Sequence, residues 1–187
     1  GIWAGPYEGR REVDRQFISG TMVEIGRSAV TATAPRNPTD RVLVAGLGQR
    51  TFLSNSLPFL LAAIDDQLDP ADPTYRSRFC ATAASLRWAP RQIATRRGRR
   101  IRILWDEQAT VGPDGSLVVE SRALDAPYAG YDDYLEHLHR TAEALVDNAR
   151  ATQRPRRFEP LVALSTGYDS CATSAVLRSV GTRDAIT

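Results

Sequence analysis

The sequence predicts an α/β protein in two parts: a β-rich region over residues 1–127, then the first strand–turn–helix unit of a doubly wound parallel sheet over residues 128–187. Three observations lead there. Short β-branched or apolar segments, separated by Gly- and Pro-containing turns, fill the first 120 or so residues. An amphipathic helix follows over Asp132–Arg150. Last, Leu161-Val162-Ala163-Leu164 is an unbroken apolar run of the kind found in strands buried on both faces, and small polar residues and a helical pattern come directly after it.

In chain order, Gln16–Ser19, Thr21–Ile25 and Ala29–Thr33 read as strands, and Pro35-Arg36-Asn37-Pro38-Thr39-Asp40 as a turn. Arg41–Gly46 reads as a buried strand. Gly46-Leu47-Gly48-Gln49 turns it into Thr51–Ser54, giving a hairpin. A helix capped by Ser56, with Pro58 in its first turn, places Phe59, Leu60, Ala63, Ile64 and Leu68 on one apolar face. Asp65–Pro73 is an acidic, turn-rich loop, and Arg76–Leu86 a short helix. The basic run Arg96-Arg97-Gly98-Arg99-Arg100 has no interleaved aromatics, so it reads as a solvated turn at Gly98 rather than a nucleic-acid contact. Ile101, Ile103 and Trp105 alternate into a strand, Gly112-Pro113-Asp114-Gly115 turns the chain into Ser116–Glu120, and a linker runs through Ala126-Pro127.

In the helix Asp132–Arg150, Leu135, Leu138, Ala142, Leu145, Val146 and Ala149 share a face. His137 and His139 are two residues apart and cannot form an i,i+4 metal pair; both are expected on the solvated surface. The spacer Gln153–Pro160 leads to the last strand, with Arg156 and Arg157 expected on the surface. In the final helix Ala172, Ala175, Val176 and Val180 recur at helical spacing, and Gly181 stands where a C-terminal cap belongs. Asp184–Thr187 begins another strand. One such unit cannot bury both faces of a parallel sheet, so the sequence predicts an incomplete domain that further residues or a second chain complete.

Composition removes several classes of function. The chain of 187 residues has 42% hydrophobic and 25% charged residues and a net charge of +2, which gives no broad pull toward nucleic acid. No apolar run approaches the ~20 residues of a membrane helix. The segment Gly1-Ile2-Trp3-Ala4-Gly5 is unlike a signal peptide, and two cysteines, Cys80 and Cys171, are too few for a disulfide framework; a cytoplasmic location is expected. All 24 basic residues are arginine, so no lysine of this chain can take part in chemistry.

Ser165-Thr166-Gly167-Tyr168-Asp169-Ser170, placed between strand and helix, is an anion-binding arrangement, because the unpaired N–H groups and the helix dipole at such a start favour a phosphate. It resembles the S-G-G-x-D-S signature of the PP-loop ATP pyrophosphatases. The wider Leu161–Ser170 stretch most resembles the asparagine synthetase branch of that family. Ser165, Gly167, Asp169 and Ser170 match the pattern, whereas Thr166 stands where the family has a glycine. A Cβ there restricts φ and crowds the pyrophosphate. The segment Thr51–Ala63 and the strand–turn–strand near Gly112–Gly115 resemble parts of the family's N-terminal glutaminase-like (Ntn-type) domain. The specific signature is confined to residues 161–181.

The resemblance implies an ATP-dependent ligase that adenylates a carboxylate, releases pyrophosphate and forms an amide. Leu164, Ser165, Thr166, Gly167, Asp169 and Ser170 would bind ATP, Asp169 would hold Mg²⁺, and the catalytic residues and the family's late lysine are not identified. Family members that hydrolyse glutamine use an N-terminal cysteine, but the first cysteine here is Cys80, so no glutaminase activity is expected. The partners implied are a small-molecule carboxylate, an amine or ammonia donor, and a homodimer mate or second chain, with no nucleic acid and no membrane. The alternative is a PP-loop relative that binds a nucleotide in a regulatory or structural role without amide synthesis.

Overall fold

The computed structural model describes residues 2–7, 14–37, 40–72, 75–80, 86–122 and 128–187. In chain order it begins with strands β1 (Ile2–Ala4), β2 (Asp14–Ser19), β3 (Met22–Ile25), β4 (Val30–Thr33), β5 (Val42–Leu47) and β6 (Arg50–Ser54). Helices α1 (Leu57–Ala63) and α2 (Tyr75–Cys80) follow, then β7 (Gln92–Ala94), β8 (Arg100–Leu104), β9 (Glu107–Val111) and β10 (Leu117–Ser121). Helix α3 (Tyr131–Arg150), β11 (Val162–Ala163), α4 (Tyr168–Ser179) and β12 (Ala185–Ile186) close the chain. As predicted, the chain is mixed α/β. It divides into two compact units: Ser19–Ala123, and Ile2–Ile18 together with Leu124–Thr187. The predicted linker at Ala126-Pro127 lies outside the described residues.

The first unit holds two four-stranded antiparallel sheets, ordered β10-β9-β4-β3 and β6-β5-β8-β7. Strand β5 is central because its side chains alternate between two apolar clusters. Leu43 and Ala45 join Leu57, Leu60 and Ile64 with Ile101, Ile103 and Trp105, while Val42 and Val44 join Ala32, Ala34, Leu104 and Ala109. The layers are therefore sheet, sheet, helix. Each large aliphatic side chain removed from water in this way contributes about 1.5–3 kcal/mol. Trp105 is 1% exposed, and its indole N–H donates to the Pro90 carbonyl at 2.8 Å, which satisfies the one polar atom it buries.

The local signals explain most boundaries. A two-residue turn at Gly48-Gln49 joins β5 to β6, with Gly48 at φ +61°. Ser56 caps α1, its hydroxyl accepting from the Phe59 N–H at 3.4 Å. The predicted apolar face of that helix is only partly right: Leu57, Leu60 and Ile64 are buried, but Phe59 is 69% exposed. A seven-residue helix presents little more than one row of positions to a sheet, and Phe59 lies off it. The predicted helix Arg76–Leu86 is α2 over Tyr75–Cys80 and a 3₁₀ turn at Leu86–Trp88; residues 81–85 lie outside the described residues.

The basic turn at Gly98 is exposed as predicted, with Arg99 alone half-buried. Arg97 pairs with Asp65 at 2.8 Å, and Arg99 donates to the Ile64 carbonyl at 3.0 Å and to Asp66 at 3.1 Å. The Asp66 carboxylate is enclosed; burial pushes its pKa up, but hydrogen bonds from the Thr95 hydroxyl and the Gln67 and Arg97 amides, with the Arg99 charge, outweigh that and hold it low. The acidic loop and the basic turn thus neutralise one another.

In the second unit α3 buries Ala142, Val146, Asn148 and Ala149, and Asp132 and Asp133 in its first turn complement the helix dipole. The Asn148 side chain donates to the Gly5 carbonyl at 2.7 Å and accepts from the Trp3 N–H and from Arg154, tying β1 to the helix. The Arg154 guanidinium lies over the rings of Tyr7, Trp3 and Phe158 at 4.6, 5.4 and 5.7 Å. Both histidines lie half-buried on the helix surface and have partners there. His137 packs on Phe17 and Tyr128, and His139 Nδ1 hydrogen-bonds the Ser179 hydroxyl at 2.9 Å. No helix among the described residues is long and apolar enough to cross a membrane.

Candidate functional site

The last sixty residues bring the predicted site residues together at one strand–turn–helix corner. Strands β11 and β12 pair in parallel, Val162 with Ala185 and Ala163 with Ile186. The Leu164 N–H donates to the Ile186 carbonyl at 2.8 Å, so Leu164 is the last residue tied into the sheet before the turn. Gly167 is the N-cap of α4 and Tyr168 its first residue; the helix starts two residues before the position expected from its apolar spacing. Asp169 and Ser170 therefore lie in the first helical turn. At the other end, Gly181 has φ +83°, its N–H donates to Arg178, and the Thr182 N–H donates to Leu177, a Schellman cap of the kind the glycine predicts.

The hydroxyls hold the turn in shape. Ser170 Oγ lies 3.1 Å from the Ser165 N–H, 2.9 Å from Ser165 Oγ and 2.8 Å from the Gly167 carbonyl oxygen. Ser165 Oγ in turn accepts from the Gly167 N–H at 3.2 Å. The Ser165 carbonyl oxygen also lies 3.0 Å from Ser170 Oγ, so the one hydroxyl proton is shared between two carbonyl acceptors while the lone pairs face the Ser165 N–H and hydroxyl. No side chain caps the helix, and the N–H groups of Tyr168, Asp169 and Ser170 have no partner among the described residues. Three unpaired amides at the positive end of a 12-residue helix form a phosphate-sized donor set.

Thr166 is exposed and is not at positive φ, so the restriction its Cβ imposes on φ is met without strain. Gly167 has φ −80° and ψ 148°, which any residue adopts; only contact with Ser165 Oγ, 3.4 Å from where a Cβ would stand, limits the space there. Asp169 is exposed in the first turn, where its charge complements the dipole. Among the described residues no three His, Cys, Asp or Glu side chains gather in a way that could hold a metal ion. Mg²⁺ commonly takes one or two carboxylates and completes its shell with phosphate oxygens and water, so the single Asp169 carboxylate beside these unpaired amides is compatible with it. Both Cys80 and Cys171 are exposed free thiols.

Other features of the second unit had no signal in the sequence. His139 and Ser179 meet where α3 passes α4, beside a cavity of about 460 Å³ that Glu143 and Asp147 also line. Spacing along one helix cannot reveal a partner 40 residues away. No family model, no curated protein and no solved structure matches this chain.

Proposed function

We propose that this chain carries the nucleotide-binding corner of an asparagine synthetase-like, ATP-dependent amide-forming ligase, which adenylates a carboxylate and releases pyrophosphate. The observation that carries the reading is the set of unpaired Tyr168, Asp169 and Ser170 amides at the start of α4, held open by the Ser165–Ser170 hydroxyl pair. Leu164, at the end of its strand, lies along the adenine and ribose, and Ser165, Thr166, Gly167, Asp169 and Ser170 surround the triphosphate. The amides of the first turn donate to its oxygens, and Ser165 and Ser170 keep the turn from closing over them. Asp169 holds Mg²⁺, whose charge offsets that of the pyrophosphate leaving group and removes the repulsion between phosphate and carboxylate.

The glutaminase-like part without a catalytic cysteine, expected over residues 1–127, corresponds to the compact unit Ser19–Ala123, since Ile2–Ile18 packs with the second unit, and residues 128–187 begin the PP-loop part of a doubly wound domain. The sheet–sheet–helix layering of the first unit supports the former, and the parallel β11–β12 pair bridged by α4 supports the latter. The remaining strands come from further residues or a second chain, with a homodimer as one form of it. The substrates are a small-molecule carboxylate and an amine or ammonia, the location is cytoplasmic, and neither nucleic acid nor membrane takes part.

The second reading, a nucleotide-binding relative without amide synthesis, is favoured by Thr166 at a glycine position and by a chain without lysine. ATP–pyrophosphate exchange, measured with candidate carboxylates on the protein as it is produced in its host, separates the two. Exchange selects the ligase; Mg-ATP binding without exchange selects the relative. Absence of both refutes the nucleotide site itself.

A further inference from the structure

Among the large apolar and aromatic side chains described, Tyr168 is the most exposed, at 95%. Other aromatic residues of the second unit have neighbours: Trp3 stacks on Tyr7 with ring centroids 5.7 Å apart, and Tyr128 meets Tyr134 at 5.1 Å and His137 at 5.2 Å. The Tyr168 side chain makes no ring contact, hydrogen bond or ion pair among the described residues.

Single exposed aromatic residues are ordinary on protein surfaces; what sets this one apart is its position. Tyr168 opens α4, so its own N–H is one of the three unpaired amides. The Cα–Cβ bond of a helical residue tilts toward the helix N-terminus, so the ring leans past the start of α4, on the side from which an anion reaches those amides. The residues just before it, Ser165, Thr166 and Gly167, are small and exposed and leave the ring uncovered. Leu164, half-buried at the end of β11, stands at the other side of the turn.

Resting on the nucleotide reading above, we propose that Tyr168 is the stacking platform for the nucleobase, which lies between its ring and Leu164 while the triphosphate takes the amides. Every base has a π face, and stacking on an aromatic side chain needs no hydrogen-bonding partner. Tyrosine also gives up only two torsions when it is held against a ligand, so little entropy opposes the contact. The amides and Mg²⁺ act on phosphate oxygens alone and treat a nucleotide and bare phosphate alike. Tyr168 is the residue that tells them apart.

The test is a pair of calorimetric titrations of the whole chain in Mg²⁺, one with ATP and one with inorganic tripolyphosphate, on the parent, Tyr168→Ala and Tyr168→Phe. The parent should bind ATP about tenfold more tightly than tripolyphosphate. Tyr168→Ala should remove that advantage and leave tripolyphosphate binding unchanged, whereas Tyr168→Phe, which keeps the ring, should keep it. Should Tyr168→Ala fail to fold, the Tyr168 ring proton resonances of the parent give an independent readout, shifting upfield with ATP and staying in place with tripolyphosphate. Tripolyphosphate binding as tight as ATP binding, an equal loss of both ligands in Tyr168→Ala, or ring resonances that ATP does not move would each overturn the proposal while leaving the phosphate site intact. Failure of the parent to bind either ligand would overturn the nucleotide reading and this proposal with it.

Discussion

Strand β5 of the first unit and strand β11 of the second are both short apolar runs, yet they end in opposite environments. Val42, Leu43, Val44 and Ala45 are all buried, because a sheet covers one face of β5 and α1 the other. In the β11–α4–β12 module Val162 alone among the strand residues is buried, Leu161 and Ile186 are 55% and 57% exposed, and α4 buries none of its residues. An apolar run specifies a strand that is able to be buried; whether it is buried depends on elements elsewhere. The first unit is organised around its core, and the module around an open turn with unpaired amides.

This contrast is broken most strongly from the side of the core. Trp105→Ala removes the largest fully buried side chain and strands the Pro90 carbonyl; it should cost about 3–5 kcal/mol and unfold the first unit at moderate urea, whereas Leu161→Ala should shift the midpoint by under about 0.5 kcal/mol. Equal effects would show that the module is as closely packed as the sandwich.

Acid should act on the first unit next. Asp40, Asp66 and Asp114 all lie in it, and each is held below the ordinary carboxyl range: burial opposes this at Asp40 and Asp66 but hydrogen bonds outweigh it, and at Asp114 the Ser116 hydroxyl and amide dominate. A carboxyl with a lowered folded-state pKa stabilises above its unfolded value, and that stability is lost as pH falls through the folded value. The first unit should therefore unfold at lower urea at pH 3 than at pH 6, losing stability below about pH 4, and Asp40→Asn should flatten the dependence.

Two smaller effects sharpen the comparison. Ser170→Ala removes the partner of the Ser165 N–H, so hydrogen exchange at that amide should accelerate about fivefold, a loss of ~1 kcal/mol, with the first unit unaffected. Asp65 ends α1 at φ +49°, in a Schellman arrangement that favours glycine. Asp65→Gly should gain about 0.5 kcal/mol, relief of the left-handed backbone exceeding the exposed Arg97 pair it removes; a lower melting temperature would show the ion pair to be the stronger.

What could be read from sequence was mostly local. Gly48, Gly98 and Gly115 mark turns with positive φ, Ser56 marks a cap, Gly181 a Schellman end, and β5 and α3 declare themselves by pattern. Gly115 could not be larger for a further reason: a Cβ there would stand 2.5 Å from the Gln49 carbonyl oxygen, a contact 66 residues away that sequence alone does not show. The exposure of Phe59, the enclosure of Asp66 by Arg99 and Thr95, and the tie of Asn148 to Gly5 likewise depend on which distant segment arrives. At the corner near Ser165 the residue types were legible, while the start of α4 at Tyr168 was not. Small polar residues continue through the first turn, so the apolar period begins late and conceals it.

The central claim is that the start of α4 is a Mg-nucleotide site, and calorimetric titration of the whole chain with ATP tests it most directly. The account predicts saturable binding in the presence of Mg²⁺ that falls at least about tenfold when Mg²⁺ is withheld or Asp169 is replaced by Ala, with the melting temperature unchanged in the variant. Binding that is indifferent to both changes, or no binding by the parent protein, would contradict it.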